Sequence, residues 1–141
     1  MQYIQFLLEH WVLSSLFILV VVALIFIEMR GGLADAKNRV SSTDAIVLIN
    51  KQDAKVIDIR EKGAFNEGHI VNAMHTTADE INDGADKLKK FKEIPLIIVC
   101  ATGMSASTIG AKLRNQGFKQ VFFLKGGINA WKADGLPVVK G

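Results

Sequence analysis

Cys100 carries the most nucleophilic side chain available to this sequence, and it is the only cysteine among 141 residues. It follows the apolar run Leu96–Val99, which is typical of a buried strand, and precedes a loop of small residues that leads into a helical pattern. A thiol at a strand-to-helix turn faces unpaired backbone N–H groups and the positive end of a helix, and both favour the thiolate. We therefore interpret Cys100 as a candidate nucleophile. The structural alternative is a small, buried apolar residue.

A carboxylate stands at a second position of the same kind. Asp58 lies near the carboxyl end of the short apolar run 56–59, and Arg60 follows it. Ligands of parallel sheets bind at the carboxyl ends of the strands, so Asp58 and Cys100 are expected at one edge. We assign Asp58 and Arg60 supporting roles there. The structural alternatives are that Asp58 caps a helix or pairs with Arg60.

Other kinds of chemistry find little support in the sequence. The histidines, His10, His69 and His75, have no metal-ligand spacing with Cys100, so we predict no metal site and no cofactor. The net charge is +3, but no aromatic residues are interleaved with the lysines of residues 87–92, so we predict no nucleic-acid partner. A cysteine-dependent phosphatase needs an arginine six positions after the cysteine, and that position is Ala106.

The elements that position these residues alternate between short apolar strands and helices. Strands are predicted at 56–59, 70–74, 96–99 and 121–124. Helical segments are predicted after an N-cap at 41–44, within 60–68 and 78–91, and at 107–116 and 128–133. Such alternation indicates an α/β domain with a parallel sheet covered on both faces.

Four ordered segments resemble the motifs of one known family. They are the Asp-x-Arg pattern within 56–61, the Phe-x-x-Gly-His-Ile-x-x-Ala pattern of 65–73, the six-residue loop 100–105, and the closing segment 124–138 with its Gly-Gly and Trp131. Together they resemble the rhodanese-like domains, and the likeness covers about residues 40–140. The resemblance implies a three-layer fold with a central five-stranded parallel sheet flanked by helices.

The resemblance also implies sulfur transfer. Cys100 would take a sulfane sulfur from a donor such as thiosulfate or a persulfide, hold it as a persulfide, and pass it to a thiol acceptor. The anionic persulfide would be bound by the loop residues Ala101, Thr102, Gly103, Met104 and Ser105. Many active rhodaneses carry Arg or Lys in this loop, and this chain has none there. The alternative is therefore a non-catalytic, membrane-tethered interaction module that binds membrane-protein partners.

The N-terminal segment indicates where the domain acts. Residues 11–27 are free of charged side chains, and as a helix they span about 25 Å. We predict a transmembrane anchor at 1–30, a linker at 31–39 and the rhodanese-like domain at 40–141. A cleaved signal peptide and a buried core helix are the alternatives. The first ten residues lack the positive charges of a signal peptide, and the unrelieved length disfavours a core helix.

The distribution of basic residues predicts the orientation of the anchor. No Lys or Arg precedes the apolar segment, whereas Arg30, Lys37 and Arg39 follow it. By the positive-inside rule, the N-terminus lies outside and the domain is cytoplasmic, in a single-pass protein of the inner membrane. A single cysteine agrees with a reducing compartment. The lipid bilayer, and possible contacts with other membrane proteins, join the sulfur donor and thiol acceptor as expected partners.

Overall fold

The computed structural model describes the backbone of residues 1–141 and the side chains of all residues except 30–35 and 104. The chain divides into two compact units, Met1–Lys37 and Asn38–Gly141. The side chains of Arg30 and Met104, which enter the predicted orientation and the predicted loop, lie outside the described residues.

The first unit consists of two helices. Helix α1 covers Gln2–Glu9 and helix α2 covers Trp11–Asn38. Most of the predicted linker 31–39 is helical. The alanine, leucine and lysine residues around Gly31 and Gly32 favour helix and outweigh the two glycines.

One window of α2 is long and apolar enough to cross a membrane. Trp11–Met29 has a mean hydropathy of 2.8, and none of it is buried. A core helix of a soluble protein is mostly buried, so that alternative loses support. Nineteen residues of helix measure about 28 Å, close to the thickness of a bilayer hydrocarbon core.

The second unit is the expected α/β domain. Its sheet contains five parallel strands in the order β1-β6-β5-β2-β4. The strands of the unit are β1 Arg39–Val40, β2 Lys55–Asp58, β3 His69–Ile70, β4 Met74–His75, β5 Leu96–Val99, β6 Val121–Leu124 and β7 Val138–Val139. The helices are α3 Ser42–Gln52, α4 Lys62–Glu67, α5 Ala78–Asn82, a 3-10 helix Asp86–Phe91, α6 Met104–Asn115 and α7 Gly127–Ala133.

One predicted strand is wrong. The segment 70–74 is not a single strand, because a turn divides it: the Ala73 N–H donates to the Ile70 carbonyl at 3.0 Å, and Asn72 has φ +63°. Asparagine tolerates the left-handed conformation better than other side-chain-bearing residues, and this breaks the apolar run. Strand β3 before the turn pairs antiparallel with β7, and β4 after it joins the main sheet.

The central strands are buried on both faces, as their continuous apolar runs predict. In β5, Leu96 and Ile98 pack in a core cluster with α6, whereas Ile97 and Val99 pack in a second cluster with α7. The first cluster includes Cys100. Strand β5 is thus held from both sides where it delivers Cys100 to the carboxyl edge of the sheet.

Helix α3 begins where the sequence predicts. The Ser41 side chain accepts a hydrogen bond from the Asp44 backbone N–H at 3.1 Å, an N-cap that satisfies one of the free donors of the first turn. The chain then enters β2 through Asp53, which ends the helix in the left-handed conformation with φ +55°. This short connection places Asp58 and Arg60 beside the end of β5.

Candidate active site

The Cys100 thiol lies in the turn between β5 and α6. Only 7% of the residue is exposed, and its Sγ accepts a hydrogen bond from the Gly103 backbone N–H with a separation of 2.9 Å. Gly103 adopts φ +90°, a conformation that side-chain-bearing residues rarely adopt, and this turns its N–H back toward the sulfur. A backbone N–H aimed at Sγ stabilises negative charge on that atom.

A cavity of about 390 Å³ opens beside the thiol. Five of its seven lining residues are uncharged, and two are charged. The lining residues are Ile59, Arg60, Glu61, Ala64, Cys100, Ala101 and Ser105. The volume admits a small thiol, a persulfide or the end of an extended side chain to the sulfur. Cys100 is therefore buried in the core on one side and open to a ligand on the other.

The first residues of α7 hold the Cys100 turn through backbone hydrogen bonds. The Ile128 N–H donates to the Cys100 carbonyl at 2.9 Å, and the Asn129 N–H donates to the Ala101 carbonyl at 3.3 Å. Gly127 permits this approach: a Cβ there would overlap the Cys100 carbonyl oxygen and lie 2.7 Å from the Ala101 carbonyl carbon. The second glycine of the Gly-Gly pair at the start of α7 thus allows the helix to hold the Cys100 carbonyl in place.

Asp58 and Arg60 form a buried ion pair. The Arg60 Nη2 lies 2.8 Å from Asp58 Oδ2, and the Arg60 Nε lies 3.0 Å from Oδ1. The Arg60 side chain is 7% exposed and the Asp58 side chain is 1% exposed. Arg60 also donates to the Gly68 carbonyl at 2.6 Å. The pair ties the end of β2 to the residue that follows α4, which is the structural alternative considered for Asp58.

The neighbouring histidines support the same loops. His75 Nε2 donates to the Arg60 carbonyl at 2.7 Å, and His69 Nδ1 donates to the Phe65 carbonyl at 2.9 Å. The His69 and Phe65 rings stack with their centroids 3.9 Å apart. Among the described residues, no group of three or more His, Cys, Asp or Glu side chains is placed to hold a metal ion.

The structure brings together only part of the residues expected at the site. Arg60, Ala101 and Ser105 share the cavity of Cys100, whereas Asp58 does not line it. Thr102 and Gly103 line a separate cavity on another side of the loop. Sequence reasoning missed Ile59, Glu61 and Ala64. The available signal for Ile59 and Glu61 was their place directly after strand β2, at the binding edge of a parallel sheet, whereas Ala64 lies in α4.

Comparison with known proteins decides the family. The profile of the rhodanese-like domain matches residues 41–134. The chain belongs to the rhodanese-like family. Its resemblance to that family, carried in the sequence by four motifs, is thereby confirmed.

Relatives of this rhodanese-like chain extend over its whole length or over the domain alone. It is 34% identical to the protein YibN of Escherichia coli over 97% of its own length and 96% of that protein. It is 34% identical to the thiosulfate sulfurtransferase GlpE of Coxiella burnetii over 67% of its length and 87% of that enzyme. The family to which it belongs therefore includes sulfurtransferases.

A solved structure shows the same fold. The rhodanese-related protein of Thermoplasma volcanium superimposes with a TM-score of 0.66 at 23% identity, covering 74% of this chain and 99% of that protein. This likeness concerns the fold alone. It agrees with the five-stranded parallel sheet and the helices on its two faces.

Proposed function

We propose that this protein is a membrane-anchored sulfurtransferase that carries sulfane sulfur as a persulfide on Cys100. The observation that carries the proposal is the placement of Sγ, which contacts the Gly103 N–H and lines a cavity of about 390 Å³. The name of the relative GlpE, a thiosulfate sulfurtransferase, supports the same reaction class.

The reaction needs two displacements at sulfur. The Cys100 thiolate attacks the outer sulfur of the donor, a new S–S bond forms at Sγ, and the donor's own S–S bond breaks with its electron pair leaving on sulfite or on the donor thiolate. The thiolate of the acceptor then attacks the outer sulfur of the Cys100 persulfide. The Sγ–S bond breaks, Cys100 returns as thiolate, and the acceptor leaves as a persulfide.

The charges around the cavity favour a persulfide donor over thiosulfate. The Arg60 guanidinium is held by Asp58 and by the Gly68 carbonyl, so its charge is already compensated. Glu61, which also lines the cavity, adds a negative charge. Thiosulfate is a dianion, whereas the persulfide of an uncharged alkyl thiol carries less charge. The dianion is therefore expected to enter the cavity less favourably than such a persulfide.

Mass spectrometry of the intact chain tests the persulfide step. Incubation with the persulfide of 2-mercaptoethanol is expected to add one sulfur atom to the protein, and a thiol acceptor is expected to remove it. Thiosulfate is expected to load the protein more slowly, because Glu61 repels the dianion and no described cation in the cavity is free to attract it.

Cys100→Ser is the control, since serine keeps the shape of the side chain but cannot form a persulfide. It must show no added sulfur. If the folded wild-type chain gains no sulfur from either donor, the catalytic proposal fails. Retention of co-purifying membrane proteins by the Cys100→Ser variant would then support the alternative of a tethered interaction module.

The proposed anchor is the apolar window of α2. Three features support it: Trp11–Met29 is long enough to span the hydrocarbon core, its large side chains are exposed, and the relative YibN matches the chain across the segment as well as the domain. Basic residues follow this window and none precedes it, which favours an external N-terminus and a cytoplasmic domain in the inner membrane.

Reporter fusions test this orientation. A reporter that is active only in the cytoplasm is expected to work when fused after Gly141, and a reporter that requires export is expected to fail there. The chain should remain with membranes after carbonate extraction. Release by carbonate would contradict the anchor, and activity of the exported reporter would contradict the orientation.

A further inference from the structure

A second cavity, of about 230 Å³, lies beside the loop that carries Cys100. Two of the residues that line it are cations, two carry hydroxyl groups, and none is acidic. The lining residues are Arg39, Thr102, Gly103, Ser107, Phe123, Lys125 and Gly126. All of them belong to the second unit: they lie on the edge strand β1, in and after β6, and in the segment from the end of β5 into the first turn of α6. This basic cavity has no part in the sulfur-transfer steps described above.

The two cations of the basic cavity have no acidic partner among the described side chains. Ion pairs in the described part of the chain engage other lysines, such as Lys87 with Glu80 and Lys119 with Glu93, and include neither Arg39 nor Lys125. Arg39 lies over the Phe123 ring, 5.7 Å from its centroid. That contact restricts the guanidinium to the cavity wall without neutralising its charge. The cavity therefore concentrates positive charge that no described carboxylate offsets.

The basic cavity and the thiol share one residue. Gly103 lines the cavity, while its backbone N–H donates to Cys100 Sγ at 2.9 Å. Its neighbour Thr102 is exposed and lines the same cavity. A ligand held here thus contacts the turn that directs an N–H group to the sulfur.

We propose that the basic cavity binds a tetrahedral oxyanion of the phosphate or sulfate class, with Arg39 and Lys125 supplying charge and Thr102 a hydroxyl donor. Arginine and lysine are the residues that bind such groups in proteins, and a cation together with a hydroxyl matches their charge and their acceptor oxygens. The volume exceeds that of several water molecules, about 30 Å³ each, so a hydrated oxyanion fits. The oxyanion has two sources, a free ion or an anionic lipid headgroup. The site needs no persulfide on Cys100.

Amide chemical shifts of the full-length chain in uncharged detergent micelles test the proposal. Inorganic phosphate, added at constant ionic strength against chloride, is expected to shift the Gly103 and Lys125 amides in a saturable way. Arg39→Gln and Lys125→Gln should each weaken binding about tenfold, because each removes a charge-assisted hydrogen bond. Lys132→Gln removes the same charge outside the cavity and should leave the affinity unchanged.

The source of the oxyanion is distinguished in nanodiscs. Shifts that appear with phosphatidylglycerol but not with inorganic phosphate assign the site to a lipid headgroup, and shifts with phosphate assign it to the free ion. Absence of saturable shifts with both probes, or equal weakening by Lys132→Gln, overturns the proposal. Cys100→Ser is expected to bind phosphate as the wild type does. The phosphate-binding test therefore does not depend on whether the protein transfers sulfur.

Discussion

Replacing Gly127 by alanine is expected to lower the free energy of unfolding by about 3 kcal/mol. Gly127 has φ +58°, so any side chain there is strained. In addition, the new Cβ would overlap the Cys100 carbonyl oxygen and lie 2.7 Å from the Ala101 carbonyl carbon. These are backbone atoms that cannot rotate away. Relief requires the Cys100 turn to move from α7, which would break the hydrogen bond from the Ile128 N–H.

Urea unfolding of the full chain in detergent micelles measures the loss, and Gly135→Ala is the matched control. Gly135 has φ +72°, but a Cβ there meets no atom within 4 Å. Its substitution should cost about 1 kcal/mol, from backbone strain alone. We also expect Gly127→Ala to change the rate of Cys100 alkylation and Gly135→Ala to leave it unchanged. Equal losses of stability in the two variants would show that the close approach of α7 contributes nothing.

Replacing Arg60 by methionine is expected to lower the free energy of unfolding by about 3–5 kcal/mol. The substitution removes the guanidinium that forms an ion pair with the Asp58 carboxylate, and this carboxylate is only 1% exposed. It also removes the donor to the Gly68 carbonyl. A buried charge without a partner carries its full desolvation cost, so the loss exceeds the net value of the pair itself.

A double-mutant cycle with Asp58→Leu separates these terms. The double variant is expected to lose at least about 1 kcal/mol less than the sum of the single variants, because it leaves no unpaired buried charge. The exposed pair of Lys119 and Glu93, with side chains 66% and 74% exposed, is the matched control and should contribute below about 1 kcal/mol. If the stability losses of the two single variants simply added up in the double variant, the proposed coupling between Asp58 and Arg60 would be contradicted.

The architecture was predictable because its strongest signals are local. Continuous apolar runs identify β2, β5 and β6 as strands buried on both faces, and the structure confirms the parallel sheet. The two-residue strands β1, β3, β4 and β7 have too few residues for a periodic pattern. Their existence depends on pairing with distant segments, as when β3 pairs with β7, and the sequence alone does not show such pairing.

The candidate site was predictable where chemistry and position coincide, and less so elsewhere. Cys100 combines a reactive side chain with a strand end, and the structure places a cavity and an N–H group beside it. The ion pair between Arg60 and Asp58 depends on the rotamers of the two side chains. The sequence alone could not distinguish this pairing from a role of Arg60 in binding a ligand. The contribution of Gly127 was missed because a glycine shows only that a Cβ is absent, and the backbone that it approaches comes from another segment.

If Cys100 carries sulfur as proposed, the hydrogen bond from Gly103 to Sγ makes the amide of Gly103 sensitive to that loading. When sulfur is added, the negative charge moves outward by about 2 Å, the length of an S–S bond, and Sγ becomes a neutral, weaker acceptor. Deuterium uptake at this amide should then quicken in the loaded form and slow again after discharge. A single backbone proton would thus report the proposed transfer cycle without any chemical modification of the protein.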